Sequence, residues 1–471
     1  MFTRSISKET HTTMRNKSNL KERKTMFKQT KVFLTLAMAL LMCFAGVTTA
    51  FAAQLTGTEN APAQAAITKL LEVPHGTAIP STTFQFKVTP VSVDGDMNVK
   101  PPVAGIGTDG IVDIAFPAPG TPPAYTFKET KSDTDYYYLE SAELFGKVTF
   151  DHAGVYKYEV EELNTTFTNK GTPPAAPYEK MTFSDAKYTV EVYVKDGEKR
   201  AYIYFIGTMK TTNEDGTPGT TKVDPTPGKE SEDFEYSQMI FTNTYVKNNG
   251  GTDPNNPDDW TLLVTKKVKG DFASTSLYFT YTMKVTTPSL IGAAETYKAY
   301  VVEADAENAG RYKVVTAAVN YAGTIGDDGA IEFKSGEATV FNLKADQYLV
   351  FINTPVGTSY EITEKGTTGY IPSVIVTYDG TLGGNEVGGK GAALVLPLEA
   401  NNFYKTTLYV GEGANRADFL NENDTTTPTG LDLNDLPFIG MLALAIGAAA
   451  IFVIVKVKKG KRSKKYSVTI Q

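Results

Sequence analysis

The sequence predicts an all-β protein made of two β-sandwich domains in tandem. Three observations predict it. Tyr, Phe, Thr and Val are abundant and alternate with polar residues in short runs, as half-buried strands do. Turn-forming residues punctuate those runs at intervals typical of sandwiches. A break rich in Gly, Pro, Asn and Asp at 248–259 (NNGGTDPNNPDD) divides the chain into two strand-rich stretches.

Taken in order, the first 31 residues are basic, residues 32–47 are apolar, and the stretch closes on Ala50-Phe51-Ala52. This pattern reads as a signal peptide over 1–52, cleaved before Ala53. Its basic part is long for such a peptide, and a start at Met26 or Met14 would shorten it. The first domain follows at 53–247, with strands expected at 65–71, 82–93, 145–150, 154–162, 186–195, 200–209 and 238–246. Segments 100–135 and 211–231 are rich in Pro, Gly and Thr and read as loops. After the linker at 248–259, the second domain spans 260–424. Its strands are expected at 260–268, 276–286, 297–303, 337–343, 358–364, 371–378 and 415–421. The remaining 425–471 holds a polar TTTPTG stretch and an apolar run at 436–455, about the ~20 residues a spanning helix needs. Lys456, Lys458, Lys459, Lys461, Arg462, Lys464 and Lys465 then form a cytoplasmic stop.

Composition excludes several functions. A formal charge of −7 argues against nucleic acid as a partner, because displacing its counterions needs a basic face. The single cysteine, Cys43, lies in the removed segment, and Phe44 stands where a lipobox wants a small residue. The mature chain therefore has no thiol, disulfide or cysteine-bound metal. Only His75 and His152 survive processing, so neither a metal site nor a cofactor is expected. No G-x-S-x-G elbow, H-E-x-x-H or phosphate loop occurs, which argues against a conventional enzyme. Extracellular proteins are often reinforced by disulfides; without them, other covalent chemistry becomes a candidate.

Strand parity supplies that chemistry, because alternate residues face opposite sides of a sheet. Ala65, Ile67, Lys69, Leu71 and Val73 share a face, so Lys69 projects with apolar neighbours. In GVYKYEVEE, Glu162 shares a face with Tyr156, Tyr158 and Val160. In IFTNTY, Asn243 shares one with Phe241 and Tyr245. The second half repeats the order with Leu262, Val264, Lys266 and Val268, then Tyr360, Ile362 and Glu364, then Phe419 and Asn421. A buried lysine is costly unless paired or neutral, and burial lowers a lysine's pKa while raising a glutamate's. A neutral amine beside a carboxamide is a nucleophile. A protonated glutamate can polarise the carbonyl and pass its proton to the departing ammonia. The competing reading is a lysine that snorkels to water, or a plain Lys–Glu ion pair. Recurrence of the whole set in a thiol-free exported chain favours the chemistry.

The sequence resembles the streptococcal two-domain major pilins of T-antigen type and their isopeptide-linkage domain family. The stretches that carry the likeness are ITKLLEV, IPSTTFQFKVTP, GVYKYEVEE and IFTNTY, then LLVTKKVKG, GTSYEITEK and DFLN, in order over 65–421. The resemblance implies tandem immunoglobulin-like sandwiches. It also implies Lys–Asn isopeptide cross-links, Lys69–Asn243 assisted by Glu162 and Lys266–Asn421 assisted by Glu364. The closing strand DFLNEND is more acidic than is usual in the family.

The C-terminal cassette resembles a sortase sorting signal. Thr427-Pro428-Thr429-Gly430 would be cut between Thr429 and Gly430. An alternative, Leu436-Pro437-Phe438-Ile439-Gly440, would be cut between Ile439 and Gly440 but has isoleucine where the acyl-donating threonine belongs. A plain membrane anchor is the simpler reading of the same cassette. Polymerisation would need an acceptor lysine before the last strand of the first domain. DFEYSQM there has none, which leaves Lys229, with Lys222 nearby. The implied partners are a sortase, other pilin subunits, peptidoglycan and host surface or matrix ligands. The expected protein is a wall-anchored, self-cross-linked pilus backbone subunit; the alternative is a monomeric adhesin or pilus-tip protein on the same scaffold.

Overall fold

The computed structural model describes residues 56–116, 126–172, 175–228, 236–292, 295–316, 325–396 and 408–424. Among these the regular structure is strand, apart from two single 3-10 turns at Pro257–Asp259 and Ser289–Ile291. The expected signal peptide and the apolar run at 436–455 lie outside the described residues. Within them, no helix is long and apolar enough to cross a membrane.

The first domain contains β1 (Thr68–Pro74), β2 (Thr82–Val93), β3 (Ile111–Phe116), β4 (Thr126–Lys131), β5 (Thr134–Glu140) and β6 (Gly154–Leu163). It continues with β7 (Lys170–Thr172), β8 (Ala175–Thr182), β9 (Lys187–Asp196), β10 (Ala201–Thr212), β11 (Pro218–Val223) and β12 (Ile240–Asn249). One sheet runs β4-β5-β1-β12-β8-β7 and the other β11-β10-β9-β6-β2-β3. The first and last strands, β1 and β12, are parallel neighbours, with Lys69 opposite Phe241 and Leu71 opposite Asn243.

The second domain contains β13 (Trp260–Lys269), β14 (Phe279–Thr286), β15 (Thr296–Ala304), β16 (Tyr312–Val314), β17 (Ala330–Lys334), β18 (Ala338–Leu343) and β19 (Gln347–Ile352). Then come β20 (Thr354–Pro355), β21 (Ser359–Glu364), β22 (Ile371–Tyr378), β23 (Thr381–Val387), β24 (Leu394–Leu396), β25 (Leu408–Tyr409) and β26 (Arg416–Glu422). Its larger sheet runs β16-β15-β19-β13-β26-β22-β23 and its smaller one β18-β14-β21-β24. Here too the first and last strands are parallel neighbours, with Lys266 opposite Phe419 and Val268 opposite Asn421. The register of the first domain is thus repeated residue for residue.

Alternation builds the core between each pair of sheets. On β2, Phe84, Phe86 and Val88 are buried; on β6, Tyr156, Tyr158 and Val160; on β9, Tyr188, Val190, Val192 and Val194. The second core uses Phe279, Tyr281, Met283 and Val285 of β14 against Leu349 and Phe351 of β19. Burial of such side chains is the main favourable term in holding each sandwich closed, about 1.5–3 kcal/mol per large residue.

Several expectations are corrected. Segment 145–150 is not a strand. Phe145 and Phe150 reach the core, but the chain turns between them, with the Val148 N–H donating to the Phe145 carbonyl. The stretch 100–135 contains β3, β4 and the start of β5, and 211–231 contains the end of β10 and all of β11. The segment expected as a linker begins inside β12: Asn248 and Asn249 pair with Pro355 and Thr354 of β20, in the second domain.

That pairing belongs to a polar joint. Lys247 Nζ lies 2.6 Å from Glu412, whose other oxygen accepts from the Ala78 N–H. The Asn249 side chain donates to the Gly411 and Glu412 carbonyls. His75, just after β1, donates from Nδ1 to Asp135 at 3.0 Å and sits against the rings of Tyr378 and Tyr409. Gly357 comes so close to Pro74 that a Cβ there would clash, and its φ of 85° favours glycine as well.

Candidate functional site

In the first domain, β1 is flanked by β5 and β12 and faces β2 and β6. Lys69 therefore enters the core with no edge to escape by, and its side chain is 0% exposed. Its Nζ donates to both oxygens of Glu162, each at 2.9 Å. The Glu162 side chain, reaching across from β6, is also 0% exposed. Nζ stands 4.6 Å from the centre of the Phe84 ring and 5.9 Å from that of Phe86. Burial pushes the Lys69 pKa down to about 8, against the opposing pull of Glu162.

Asn243 completes the cluster from β12. Its Nδ2 donates to Glu162 Oε1 at 2.8 Å, the same oxygen that accepts from Lys69. Its Oδ1 accepts from the Ser184 backbone N–H at 2.8 Å. A backbone N–H can only donate, so this bond fixes which end of the carboxamide carries oxygen. Glu162 therefore faces the nitrogen that would leave, not the carbonyl oxygen. The carbonyl is polarised by Ser184. This differs from the sequence expectation, in which the glutamate polarised the carbonyl. The donor exists because β8 ends at Thr182 and the chain turns out of the sheet. That turn is held by Ser184 Oγ accepting from the Ala186 N–H.

The second cluster repeats the plan. Lys266 Nζ, 0% exposed, donates to Glu364 Oε1 at 2.8 Å, and Asn421 Nδ2 donates to the same oxygen at 2.6 Å. Nζ lies 4.0 Å from the Phe279 ring centre and 5.8 Å from that of Tyr281. Burial lowers the Lys266 pKa to about 8, opposed by Glu364, and raises that of Glu364, opposed mainly by Lys266. Two acceptors in this cluster, Glu364 Oε2 and Asn421 Oδ1, have no hydrogen-bond donor.

Each set of three residues singled out in the sequence is thus brought together in one buried cluster. Thr429, Gly430, Ile439, Gly440 and Lys229 lie outside the described residues; Lys222 lies on β11. Among the described residues no group of His, Cys, Asp or Glu is arranged to hold a metal ion. Ser184 escaped sequence reasoning because it contributes a main-chain N–H, which any residue type but proline would supply.

Two family models and several solved structures match parts of the chain. Residues 260–392 match a family model described only as a domain of unknown function, DUF7601; it includes Lys266 and Glu364 and ends before Asn421. Similar solved structures include the major pilin from Streptococcus pyogenes, at 19% identity over 77% of this chain and 99% of that one, TM-score 0.28. The T3.2 major pilin of the same species matches at 16% identity over 76% and 98% of the two chains, TM-score 0.27. A pilus-presented adhesin, Spy0125 (Cpa), matches at 13% over 54% of this chain and 39% of that one, TM-score 0.21. No curated protein matches. Residues 65–246 match the model of the Spy0128-like isopeptide containing domain. Over that first domain, less than half of the chain, the protein is similar to the Spy0128-like isopeptide containing domain.

Proposed function

We propose that the protein is a pilus backbone subunit whose two domains each close an intramolecular amide, Lys69 to Asn243 and Lys266 to Asn421. The observation that carries this reading is the convergence of a buried amine and a buried carboxamide on one glutamate oxygen, twice, in the same strand register.

The chemistry balances without a cofactor. Glutamate takes a proton from the lysine ammonium, which leaves a neutral amine. Nζ attacks the asparagine Cγ, and in the first domain the Ser184 N–H meets the charge that develops on Oδ1, as an oxyanion donor does. The protonated glutamate, already bonded to Nδ2, returns its proton there. The Cγ–Nδ2 bond breaks, ammonia leaves, and Nζ passes its second proton to the glutamate as Nζ–Cγ becomes an amide, so the carboxyl ends protonated and neutral. Each domain reacts once, so the protein is its own substrate and does not turn over. The product removes the buried charge that makes the unreacted site costly.

Export, cutting by a sortase at Thr429–Gly430, and transfer of the threonyl end to the wall or to the Lys229 or Lys222 amine of another subunit would place this domain pair in a surface fibre. Long loops at 100–135 and 211–231 would have suited the adhesin alternative, but these segments contain β3, β4 and β11.

The intact mass of residues 53–424 tests the proposal. Loss of two ammonia molecules makes the chain about 34 Da lighter than its sequence, and Lys69→Ala or Lys266→Ala each restores about half of that deficit. A mass equal to the sequence mass overturns the assignment.

A further inference from the structure

The two clusters share a plan but not a complement of donors. In the first, both oxygens of Glu162 and both polar atoms of Asn243 are hydrogen-bonded. In the second, Glu364 Oε2, Asn421 Oδ1 and the Tyr281 hydroxyl are all buried without an aligned hydrogen bond. The backbone explains the missing donor. Where β8 leaves the sheet and frees the Ser184 N–H, β22 runs on beside β26, and the residue in the matching place, Ser373, stays paired with Leu420 in the ladder.

The side chains differ at one matching position. Glu162 stands opposite Phe86 in the β2–β6 register, and Glu364 stands opposite Tyr281 in the β14–β21 register. Tyr281 thus occupies the place of Phe86 and adds a hydroxyl. That hydroxyl adjoins the Glu364 carboxyl and acts on it electrostatically. It is a donor near enough to lower the pKa of the Glu364 carboxyl as a hydrogen bond does, yet aligned with neither oxygen.

We propose that Tyr281 is a positioning residue of the second site, acting through Glu364, and that this site closes more slowly than the first because no donor meets Asn421 Oδ1. The inference rests on the cross-linking reading above. Tyr281 O–H turns to Glu364 Oε2 and leaves Oε1 to take the Lys266 proton and return it to Nδ2. The titratable groups that act on Glu364 are Lys266 from β13 and Tyr281 from β14; Asn421 of β26 is its neutral neighbour. Burial raises the Glu364 pKa, and the tyrosine hydroxyl opposes that rise. Without the hydroxyl the carboxyl stays protonated to higher pH, while Lys266 is still charged, so the reactive form appears later in a pH series.

The test uses the full chain. It is synthesised in a short in vitro translation pulse, chased into buffers of rising pH, quenched in denaturant at intervals and digested. Mass spectrometry then quantifies the Lys69–Asn243 and Lys266–Asn421 cross-linked peptides separately. In the wild type the first link leads the second by about tenfold or more in rate. In Tyr281→Phe the second link slows by a further factor of about ten, the rate equivalent of one hydrogen bond to a charged group. Its acid limb also moves to higher pH, and the first link, an internal clock in the same molecule, is unchanged. Phe86 at the matching position shows that phenylalanine fits such a site. Equal rates in the wild type overturn the part assigned to the missing donor. An unchanged rate in Tyr281→Phe, or slowing with no pH displacement, overturns the positioning role. Absence of both links overturns the cross-linking reading itself, and a first link without a second overturns this inference alone.

Discussion

Lys69 and Lys266 sit where an ammonium group is least welcome, and glutamate offsets only part of that cost. Asn243→Ala removes the acceptor and traps the first domain with its lysine unreacted. Folding then lowers the lysine pKa from 10.5 to about 8, so the unfolded chain binds more protons between those values. Stability of the variant is expected to be flat below about pH 8 and to rise towards pH 10.5, by up to about 3 kcal/mol. Urea unfolding across that range checks it, with Lys69→Ala/Asn243→Ala as the reference that should lack the rise. The residues of the clusters were legible in the sequence because each is a polar side chain on an apolar strand face. The roles inside the cluster were not. Which end of Asn243 meets Glu162 depends on a backbone turn at Ser184, and nothing in the residue types encodes it.

At the level of strands, each proposed cross-link joins the first strand of a domain to the last, β1 to β12 and β13 to β26. Closing so long a loop removes conformational entropy from the unfolded chain, about 5 kcal/mol on the chain-entropy account. Lys69→Met/Glu162→Gln isolates that contribution, since it keeps side-chain volume and a hydrogen-bond acceptor but cannot react. The first domain of this variant should fold and unfold at lower denaturant, with a loss of about that size. A midpoint equal to the wild type would deny the link any part in stability. Strands with clean alternation, such as β2, β6 and β22, were legible from pattern alone. β19 was not, because in QYLVFI consecutive residues are buried and no period of two survives. β3 was masked by the Pro, Gly and Thr around it, and β8 begins Ala-Ala-Pro, which reads as a turn.

Across the whole molecule, the joint between domains is polar and held in part by His75. Its bond to Asp135 raises the histidine pKa, against the effect of burial. The stabilisation is complete below the ordinary histidine value of 6.5 and is lost as pH rises through the raised value. Hydrogen exchange at residues 75–76 and 409–412 should therefore quicken as pH rises through that window, after correction for the intrinsic rate. In His75→Phe it should follow the intrinsic rate alone. Gly357→Ala should open the same joint at every pH, because a methyl group there meets Pro74.

The parallel pairing of first and last strands has a further, mechanical meaning. With both amides formed, a pull on the chain ends crosses each domain through a single covalent bridge. Everything between Lys266 and Asn421 becomes a closed ring lying off the line of tension, and so does the first domain except for the arm from an acceptor lysine at 222 or 229 to Asn243. Such a fibre has little hidden length to release. What remains in series is that arm and the stretch from Asn243 to Lys266, already largely drawn out as β12 and β13. A jerk on the filament must then be met there and at the joint, while the rest of each ring is free to vary in sequence without weakening the line.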